Sequence, residues 1–197
     1  VKSFLGQQTY IVERFDRRIE HGMPIRLPME DMAQVLGLPP SAKYEVSAVD
    51  LLITLRKMDS SLQMGEEWLR RLAFNVAVDN CDAHARNYSV MPTSSDGETW
   101  RLSPMYDAMT TTVWPGLTDR LAMPFSGVDH ASEVMPDHYA RLADYCGFDP
   151  DKARSEAIQI SDTVQSHVDE AYANLDEDLR NRLMERIRIA NTGMSRI

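Results

Sequence analysis

The sequence has little cysteine and no paired cysteine motif. Its 197 residues include two cysteines, Cys81 and Cys146, which lie far apart and form no CxxC pair. This argues against a disulfide framework and against a cysteine-rich metal site. Because free cysteine is among the residues most often buried in proteins, we predict two buried free thiols.

Long apolar runs and targeting signals are also missing. No stretch approaches the roughly 18 to 20 uninterrupted apolar residues of a membrane-spanning helix. The first residues do not combine the charged, apolar and small-residue regions of a secretion leader. We therefore expect a cytoplasmic protein that makes no contact with a membrane.

Positive charge is scarce. The chain has 21 Lys and Arg against 30 Asp and Glu, a formal net charge of −9. Because sequence-independent affinity for DNA comes mainly from Lys and Arg on phosphates, the chain is unsuited to bind DNA alone. Any contact with DNA is expected to be indirect, through a more basic partner. The length, with 43% apolar residues, suits one domain or one lobe with a single core.

Apolar spacing predicts a fold that is mainly α with a small β-hairpin. Residues 46–58 and 66–78 carry apolar side chains at helical spacing, and the chain is helical again from Pro136. Apolar residues at spacings of three and four continue this last pattern from Val164 to Ile187. We interpret these segments as core-packing helices.

Shorter elements lie around these helices. The composition of residues 8–15 predicts a strand that is followed by a polar connection. Residues 29–36 are predicted to form a short helix that ends at Gly37. Residues 87–91 and 100–102 predict the strands of the hairpin, with its turn at residues 94–97. Turn-rich stretches are expected near Trp114 and at residues 124–127.

The residues that can carry chemistry lie between the second helix and the end of the hairpin. Phosphoryl transfer needs a carboxylate to orient or deprotonate the attacking hydroxyl, and oxygen ligands for Mg²⁺. Asp82 and Asn87 can supply a base and one ligand from a single loop. Asp107 follows the hairpin, whose two ends lie side by side, and can supply a second ligand. Asp and Asn are also ordinary cap and loop residues, so a structural role stays open.

These motifs resemble one family. Residues 82–89 have the sequence DAHARNYS, residues 100–104 WRLSP and residues 106–107 YD. Upstream, residues 12–17 are VERFDR, residues 30–40 EDMAQVLGLPP and residues 43–45 KYE. In order and spacing this resembles the HipA-like serine/threonine kinases, the toxins of bacterial type II toxin–antitoxin modules. The resemblance implies the C-terminal helical lobe of a protein-kinase-like fold. Residues 1–18 would be the last strand of the N-terminal lobe and the hinge, and residues 19–197 the catalytic lobe.

The resemblance also implies residue roles. Asp82 would be the catalytic base, and Asn87 and Asp107 would hold Mg²⁺. The residues it assigns to ATP are Glu13, Arg14, Phe15, His84, Arg86, Asn87, Tyr106 and Asp107.

For some of these residues an alternative stays open. For His84 the alternative is a role in capping or bracing the loop instead of contacting phosphates, and the Phe15 ring is equally suited to a core. Asp16 is a candidate for the ribose or a solvated turn carboxylate. Arg86 stands where the family often has Lys and keeps the positive charge, although its planar fork differs.

Two parts of a kinase have no match in the sequence. A Gly-rich loop over the phosphates and a strand lysine are expected for this chemistry, but no such loop precedes Glu13 and Lys2 is too near the start. We therefore expect a piece of a longer chain. On its own it is expected to bind ATP weakly and to transfer phosphate poorly or not at all.

The resemblance further implies partners. One is a DNA-binding helix-turn-helix antitoxin, through which alone the protein would contact DNA. Another is a protein substrate, which in this family includes an aminoacyl-tRNA synthetase. The implied biological setting is growth arrest and bacterial persistence. Two alternatives remain at this point. One is a non-catalytic domain that binds an antitoxin or another protein, and the other is a small-molecule kinase of the aminoglycoside or choline type.

Overall fold

The computed structural model describes residues 2–4, 7–9, 11–93 and 99–195, and within them the chain is mainly helical. Four helices form the body, and a one-turn helix and a C-terminal helix complete the set. In chain order the helices are α1 (Met32–Val35), α2 (Ala48–Met58), α3 (Gln63–Ala77), α4 (Pro136–Cys146), α5 (Pro150–Ala171) and α6 (Glu177–Ala190).

The strands form small antiparallel sheets at the edge of the helical body. The strands are β1 (Lys2–Phe4), β2 (Gln7–Thr9), β3 (Arg17–Glu20), β4 (Met23–Arg26), β5 (Glu30–Asp31), β6 (Ser89–Pro92), β7 (Trp100–Leu102), β8 (Arg120–Phe125) and β9 (Val128–His130). The pairs β1–β2, β3–β4 and β8–β9 are two-stranded, and β5–β6–β7 is a three-stranded sheet.

The core lies where α3 meets its neighbours. Trp68 and Val76, two turns apart on α3, are almost fully buried together with Leu52 of α2. The Trp68 ring meets the Tyr88 ring edge to face, with centroids 5.7 Å apart. Burying each such large apolar side chain contributes about 1.5–3 kcal/mol to folding. This packing fixes the C-terminal end of α3, and the loop that leaves it is therefore held on a rigid base.

Local sequence signals place the helix ends. Ser47 and Asp50 form a capping box at the start of α2. Gly147, with a φ of 78°, ends α4 in the left-handed conformation that glycine adopts without strain. Asp149 then accepts hydrogen bonds from the backbone N–H groups of Asp151 and Lys152, and α5 begins at Pro150. Gly147, Asp149 and Pro150 therefore determine the tight turn between α4 and α5.

Most of the predicted elements are confirmed. The helices predicted at residues 29–36, 46–58 and 66–78 correspond to α1, α2 and α3, with bounds shifted by up to three residues. The predicted hairpin is β6 and β7, which pair antiparallel with Val90 opposite Leu102. Its predicted turn at residues 94–97 lies outside the described residues. The short strand β5 pairs with β6 and was not predicted.

The predicted strand at residues 8–15 is too long. Strand β2 ends at Thr9, and residues 11–14 carry no regular secondary structure. The β-branched Ile11 and Val12 are exposed. High β-propensity does not make a strand by itself, because a strand needs a neighbour to accept its hydrogen bonds.

Two hairpins occupy segments that were predicted as connections. Residues 16–22 include β3, which turns back into β4 at His21 and Gly22, both with positive φ. Residues 124–127 include the end of β8 and the turn into β9, and Pro124 lies within β8. Proline is tolerated at the edge of a two-stranded sheet because its missing N–H faces away from the partner strand.

The apolar series from Val164 to Ile187 does not form one helix. It spans the end of α5, the break at residues 172–176 and α6, with Leu175 exposed in the break. Asp176 caps α6 by accepting the backbone N–H of Leu179 at 2.9 Å, which marks a new helix start. The cap residue therefore starts a new helix, although the apolar residues keep helical spacing across the break.

Replacing Gly65 of α3 with alanine is expected to destabilise the protein. A Cβ atom at this position would lie 2.2 Å from Cζ of the buried Phe148. The overpacking is expected to outweigh the gain in helix propensity and to cost about 1–2 kcal/mol net. Urea unfolding of Gly65→Ala measures this, with the exposed Asp162→Ala of α5 as a control that changes stability by less than about 0.5 kcal/mol. An unchanged unfolding midpoint for Gly65→Ala would contradict the tight contact.

His138, in the first turn of α4, predicts a pH dependence of stability. Its Nδ1 accepts the backbone N–H of Met135 at 2.9 Å, and burial lowers its pKa below the usual value. The unfolded chain therefore binds more protons as the pH falls through about 6.5, and the folded state loses stability there. His138→Gln keeps an acceptor for Met135 but does not titrate, so it should lose less stability between pH 7.5 and 5.5. Parallel pH profiles for the two proteins would contradict this.

Candidate active site

The loop that follows α3 carries the predicted base. Residues 79–87 turn sharply away from the helix and end in a 3-10 turn at Ala85–Asn87. The Asp82 side chain is about half exposed, and its Oδ1 accepts a hydrogen bond of 2.6 Å from the Tyr44 hydroxyl. This bond raises the pKa of Tyr44, so the phenol remains the donor. Tyr44 therefore holds one oxygen of Asp82 in place.

His84 lies beside Asp82 as a neutral ring. Its Nε2 is 2.9 Å from Lys43 Nζ and 4.0 Å from Asp82 Oδ2. An ammonium group only donates, so Nε2 accepts and the ring proton sits on Nδ1. Burial lowers the pKa of His84, and the Lys43 charge lowers it further. Nδ1 is buried without a hydrogen-bond partner among the described residues.

Two asparagines join the residues of this loop, and one of them, Asn80, also bonds to Asp107. Asn80 Nδ2 donates to the carbonyl oxygen of Asp107 at 3.2 Å and to Asn75 Oδ1 at 2.7 Å, while Asn80 Oδ1 accepts the backbone N–H of Asp82 at 3.2 Å. Asn87 Nδ2 donates to the carbonyl oxygen of Asp82 at 2.9 Å. The predicted base and both predicted metal ligands thus belong to one hydrogen-bonded unit.

The hairpin is fixed so that Asp107 returns to this loop. Arg71 of α3 donates to the carbonyl oxygen of Ser103 at 2.7 Å, just beyond β7. Asp107 is exposed and has a φ of 55°, a left-handed conformation that is strained for most residues other than glycine. Strained backbone of this kind is concentrated at functional sites.

The donor set fits magnesium. Mg²⁺ takes one or two protein oxygen ligands, often carboxylates, and fills its remaining positions with water and substrate phosphates. Because Asn87 Nδ2 is engaged with Asp82, its Oδ1 is the atom left to accept or ligate. No group of three His, Cys, Asp or Glu side chains at metal-binding distances occurs in the described part of the chain. A site of Asn87 and Asp107 is therefore suited to a metal that also binds phosphate, and not to a closed protein cage.

A cleft of about 500 Å³ lies between residues 12–16 and the residues that flank the β6–β7 hairpin, and we call it the Phe15–Tyr106 cleft. Its two rings lie 5.8 Å apart between centroids. The predicted ATP residues that line it are Glu13, Arg14, Phe15, Arg86 and Tyr106. The predicted site residues that do not line it are Asp82, His84, Asn87 and Asp107.

Two ion pairs brace residues 14–17 at one side of the cleft. The buried carboxylate of Asp16 accepts hydrogen bonds from Arg14 at 2.8 and 2.6 Å and one from Arg17 at 2.5 Å. The Arg14 hydrogen bond holds the pKa of Asp16 well below its usual range. Asp16 is therefore not the solvated turn carboxylate of the alternative interpretation. It stays ionised and braces the segment next to Phe15.

Arg86 points to the cleft rather than to the base. Its Nε lies 3.3 Å from Asp31 Oδ2, and its carbonyl oxygen accepts the Tyr106 hydroxyl at 2.8 Å. The guanidinium is close to half exposed. The cation nearest the Asp82–His84 pair among the contacts described here is Lys43.

The sequence profile of the HipA-like C-terminal domain matches residues 1–171. The chain belongs to this family. Among curated relatives, Y4mE of Sinorhizobium fredii (strain NGR234), which is named as a kinase, is 29% identical over 196 residues, 95% of this chain and 44% of its own length. The serine/threonine-protein kinase toxin HipA of Shewanella oneidensis (strain MR-1) is 27% identical over 85% of this chain and 42% of its own length.

A solved structure supports the fold of this HipA-like chain. In the complex of Shewanella oneidensis HipA with HipB and operator DNA, one chain matches with a TM-score of 0.74 and 23% identity, over 91% of this chain and 49% of that one. The predicted fold class, the mainly α C-terminal lobe of a HipA-like kinase fold, is confirmed. The chain spans less than half the length of these relatives.

Some expectations for the HipA-like chain are confirmed, and the residue roles stay predictions. Cys81 and Cys146 are buried and free, and burial raises the pKa of the Cys81 thiol to about 12. None of the described helices is long and apolar enough to cross a membrane. The division into the last strand of an N-terminal lobe with the hinge (1–18) and a catalytic lobe (19–197) stays a prediction.

Four polar residues that build this site were not predicted from the sequence. Lys43 and Tyr44 were noted only as part of a family motif, and Asn75 and Asn80 were given no role. Their positions in the sequence were the one signal that could have indicated them. Asn80 lies two residues before Asp82, and Lys43 is the only lysine among residues 3–56. Their contacts span up to 41 positions and were not readable from spacing.

Proposed function

We propose that the full-length protein is an ATP- and Mg²⁺-dependent protein serine/threonine kinase, the toxin of a bacterial toxin–antitoxin module, with this chain as its C-terminal lobe. The observation that carries the proposal is the hydrogen-bonded unit of Asp82, Asn87 and Asp107 beside the Phe15–Tyr106 cleft. The kinase names of the relatives give it independent support.

The cleft suits the nucleotide. A volume of about 500 Å³ falls within the range of small-molecule sites, which is about 300–1,000 Å³. Glu13, Arg14 and Phe15 line the cleft, and their backbone groups would contact the adenine. Arg86 also lines it and can place a positive charge near the phosphates, and the Asp31 pair orients its guanidinium.

The catalytic loop suits the transfer step. Asp82 would accept the proton of a substrate hydroxyl as the oxygen attacks the terminal phosphorus and the bond to the bridging oxygen breaks. Tyr44 holds Oδ1 of Asp82, which leaves Oδ2 for the substrate. Mg²⁺ held by Asn87 and Asp107 would neutralise charge on the phosphates. Lys43 and His84 stand beside Asp82 and can orient the incoming group.

Partners follow from charge and from the relatives. The chain carries a formal charge of −9, so contact with DNA would be made by a basic helix-turn-helix antitoxin. The matching solved structure is a complex of HipA, HipB and operator DNA, which supports an antitoxin partner. We propose that the substrate is a protein, with an aminoacyl-tRNA synthetase as the candidate. The kinase would act in the cytoplasm and arrest growth, as in bacterial persistence.

A transfer assay with the full-length protein tests the proposal. Labelled ATP and Mg²⁺ are expected to give label on serine or threonine of protein acceptors, and chelation of Mg²⁺ should abolish it. Small alcohols such as choline and an aminoglycoside serve as competing acceptors. Transfer only to small alcohols would favour a small-molecule kinase, and no transfer or nucleotide binding would favour the binding-domain alternative.

A further inference from the structure

A partly buried ion pair lies at the start of the catalytic loop, and the proposed function does not use it. Arg186 Nε lies 2.8 Å from both Asp79 Oδ2 and Thr112 Oγ1. The Thr112 hydroxyl also donates to Asp79 Oδ2. We call these three residues the Arg186 clamp. They come from α6, the catalytic loop and the segment after Asp107.

Asp79 is an unusual residue for this position. Its φ of 58° is left-handed, and its side chain is buried. A non-glycine residue in this conformation is strained, and a buried carboxylate is unfavourable without a charged partner. Both penalties are tolerated because Arg186 and Thr112 engage the carboxylate. The chain therefore keeps a costly residue where a glycine would relieve both.

The clamp sits at the junction of the two segments that carry the predicted metal ligands. Next to it, Thr111 Oγ1 accepts the backbone N–H of Cys81 at 2.9 Å and donates to the carbonyl oxygen of Asp79 at 3.4 Å. One residue further on, Asn80 donates to the carbonyl oxygen of Asp107. A displacement of Asp79 would thus be passed to Asn80 and from there to Asp107.

Arg186 reaches this junction from far along the chain. It is 107 positions from Asp79, and its helix lies beyond residues 1–171, which match the family profile. The end of α6 is itself fixed, because the buried Asn191 donates to the carbonyl oxygen of Ala77 at 2.8 Å. The C-terminal helix is therefore tied to both sides of the turn that begins the catalytic loop.

We propose that Arg186 is a positioning residue for phosphoryl transfer. Through Asp79 and Thr112 it fixes the catalytic loop relative to the segment that follows Asp107, and so keeps Asn87 and Asp107 at the spacing that one Mg²⁺ ion requires. The proposal rests on the proposed kinase function and adds a residue from α6 to it.

Kinetics of Arg186→Gln in the full-length protein test this. The variant is expected to lower kcat by about 10- to 100-fold, the usual loss when a residue that supports metal ligands is removed. It should also raise the Mg²⁺ concentration needed for half-maximal rate, whereas KM for ATP at saturating Mg²⁺ should change less than kcat. Calorimetric titration of Mg²⁺ into the ATP-bound protein should show the same loss of Mg²⁺ affinity without turnover. A residue that acted only on overall stability would not move the Mg²⁺ requirement. Arg182→Gln is the matched control, because Arg182 lies on the same helix and pairs with the exposed Asp178.

A second variant covers the case in which Arg186→Gln unfolds because Asp79 is left unpaired. Asp79→Asn/Arg186→Gln removes both charges, and asparagine tolerates a positive φ. The double variant is expected to fold and still to need more Mg²⁺ than the wild type. A folded variant of either kind with wild-type kcat and Mg²⁺ requirement would overturn the proposal while leaving the kinase function intact. Absence of transfer by the wild-type protein would overturn both.

Discussion

Asp82→Asn is expected to lower phosphoryl transfer by the full-length protein by about 10²- to 10⁴-fold, the range associated with loss of a general base. An amide does not take up the proton of the substrate hydroxyl, although its oxygen still accepts the Tyr44 hydroxyl bond seen at 2.6 Å. The loop geometry should therefore survive, and ATP affinity should change by less than about threefold. Label transfer and calorimetric ATP titration measure the two quantities.

Asp144→Asn is the matched control, because Asp144 is exposed on α4 and the chemical change is identical. This control should retain wild-type transfer. If Asp82→Asn kept more than a tenth of the wild-type rate, Asp82 would not be the base, and the catalytic assignment would be wrong. Raising the Mg²⁺ concentration should not restore the Asp82→Asn rate, since this variant keeps both predicted metal ligands.

The helical part of the fold was predictable because its signals are local. Apolar side chains such as Trp68 and Val76 repeat at helical spacing over α3, and their burial confirms that the spacing marks a core face. The polar hairpin β3–β4 gave no such signal, because its apolar side chains, for example Ile19 and Met23, are exposed. Its turn at His21 and Gly22 depends on backbone conformation rather than on an apolar pattern.

The candidate site was predictable only in part, for a related reason. Asp82 and Asn87 share one loop, and Asp107 follows a hairpin, so spacing and family motifs sufficed to bring them together. Asn80 lies two residues before this motif, but its bond to Asp107 is a tertiary contact over 27 positions. The Arg186 clamp joins residues 107 positions apart, and no local pattern predicts which arginine on α6 turns inward.

Asp107→Asn is expected to lower transfer by about 10²-fold or more at low Mg²⁺ and, unlike Asp82→Asn, to recover as Mg²⁺ is raised. The reason is that an amide oxygen still ligates Mg²⁺ but no longer supplies a full negative charge. A bound metal stabilises the charge of the transition state by several kcal/mol, and about 1.4 kcal/mol corresponds to a tenfold change in rate. The backbone should be preserved, because asparagine is also tolerated at the observed φ of 55°. Transfer rates over a series of Mg²⁺ concentrations measure the effect.

The same series with Asp144→Asn should overlay the wild-type curve, which makes the shift specific to Asp107. The pair of active-site variants then separates the two roles, because the chemical change is the same while the response to Mg²⁺ differs. If Mg²⁺ restored the rate of Asp82→Asn, Asp82 would be a metal ligand and not the base. If the rate of Asp107→Asn did not depend on Mg²⁺, Asp107 would not be a metal ligand. The hydrogen bond from Asn80 to the carbonyl oxygen of Asp107 is independent of the substituted carboxylate, so a fold defect does not account for a shift in Mg²⁺ requirement.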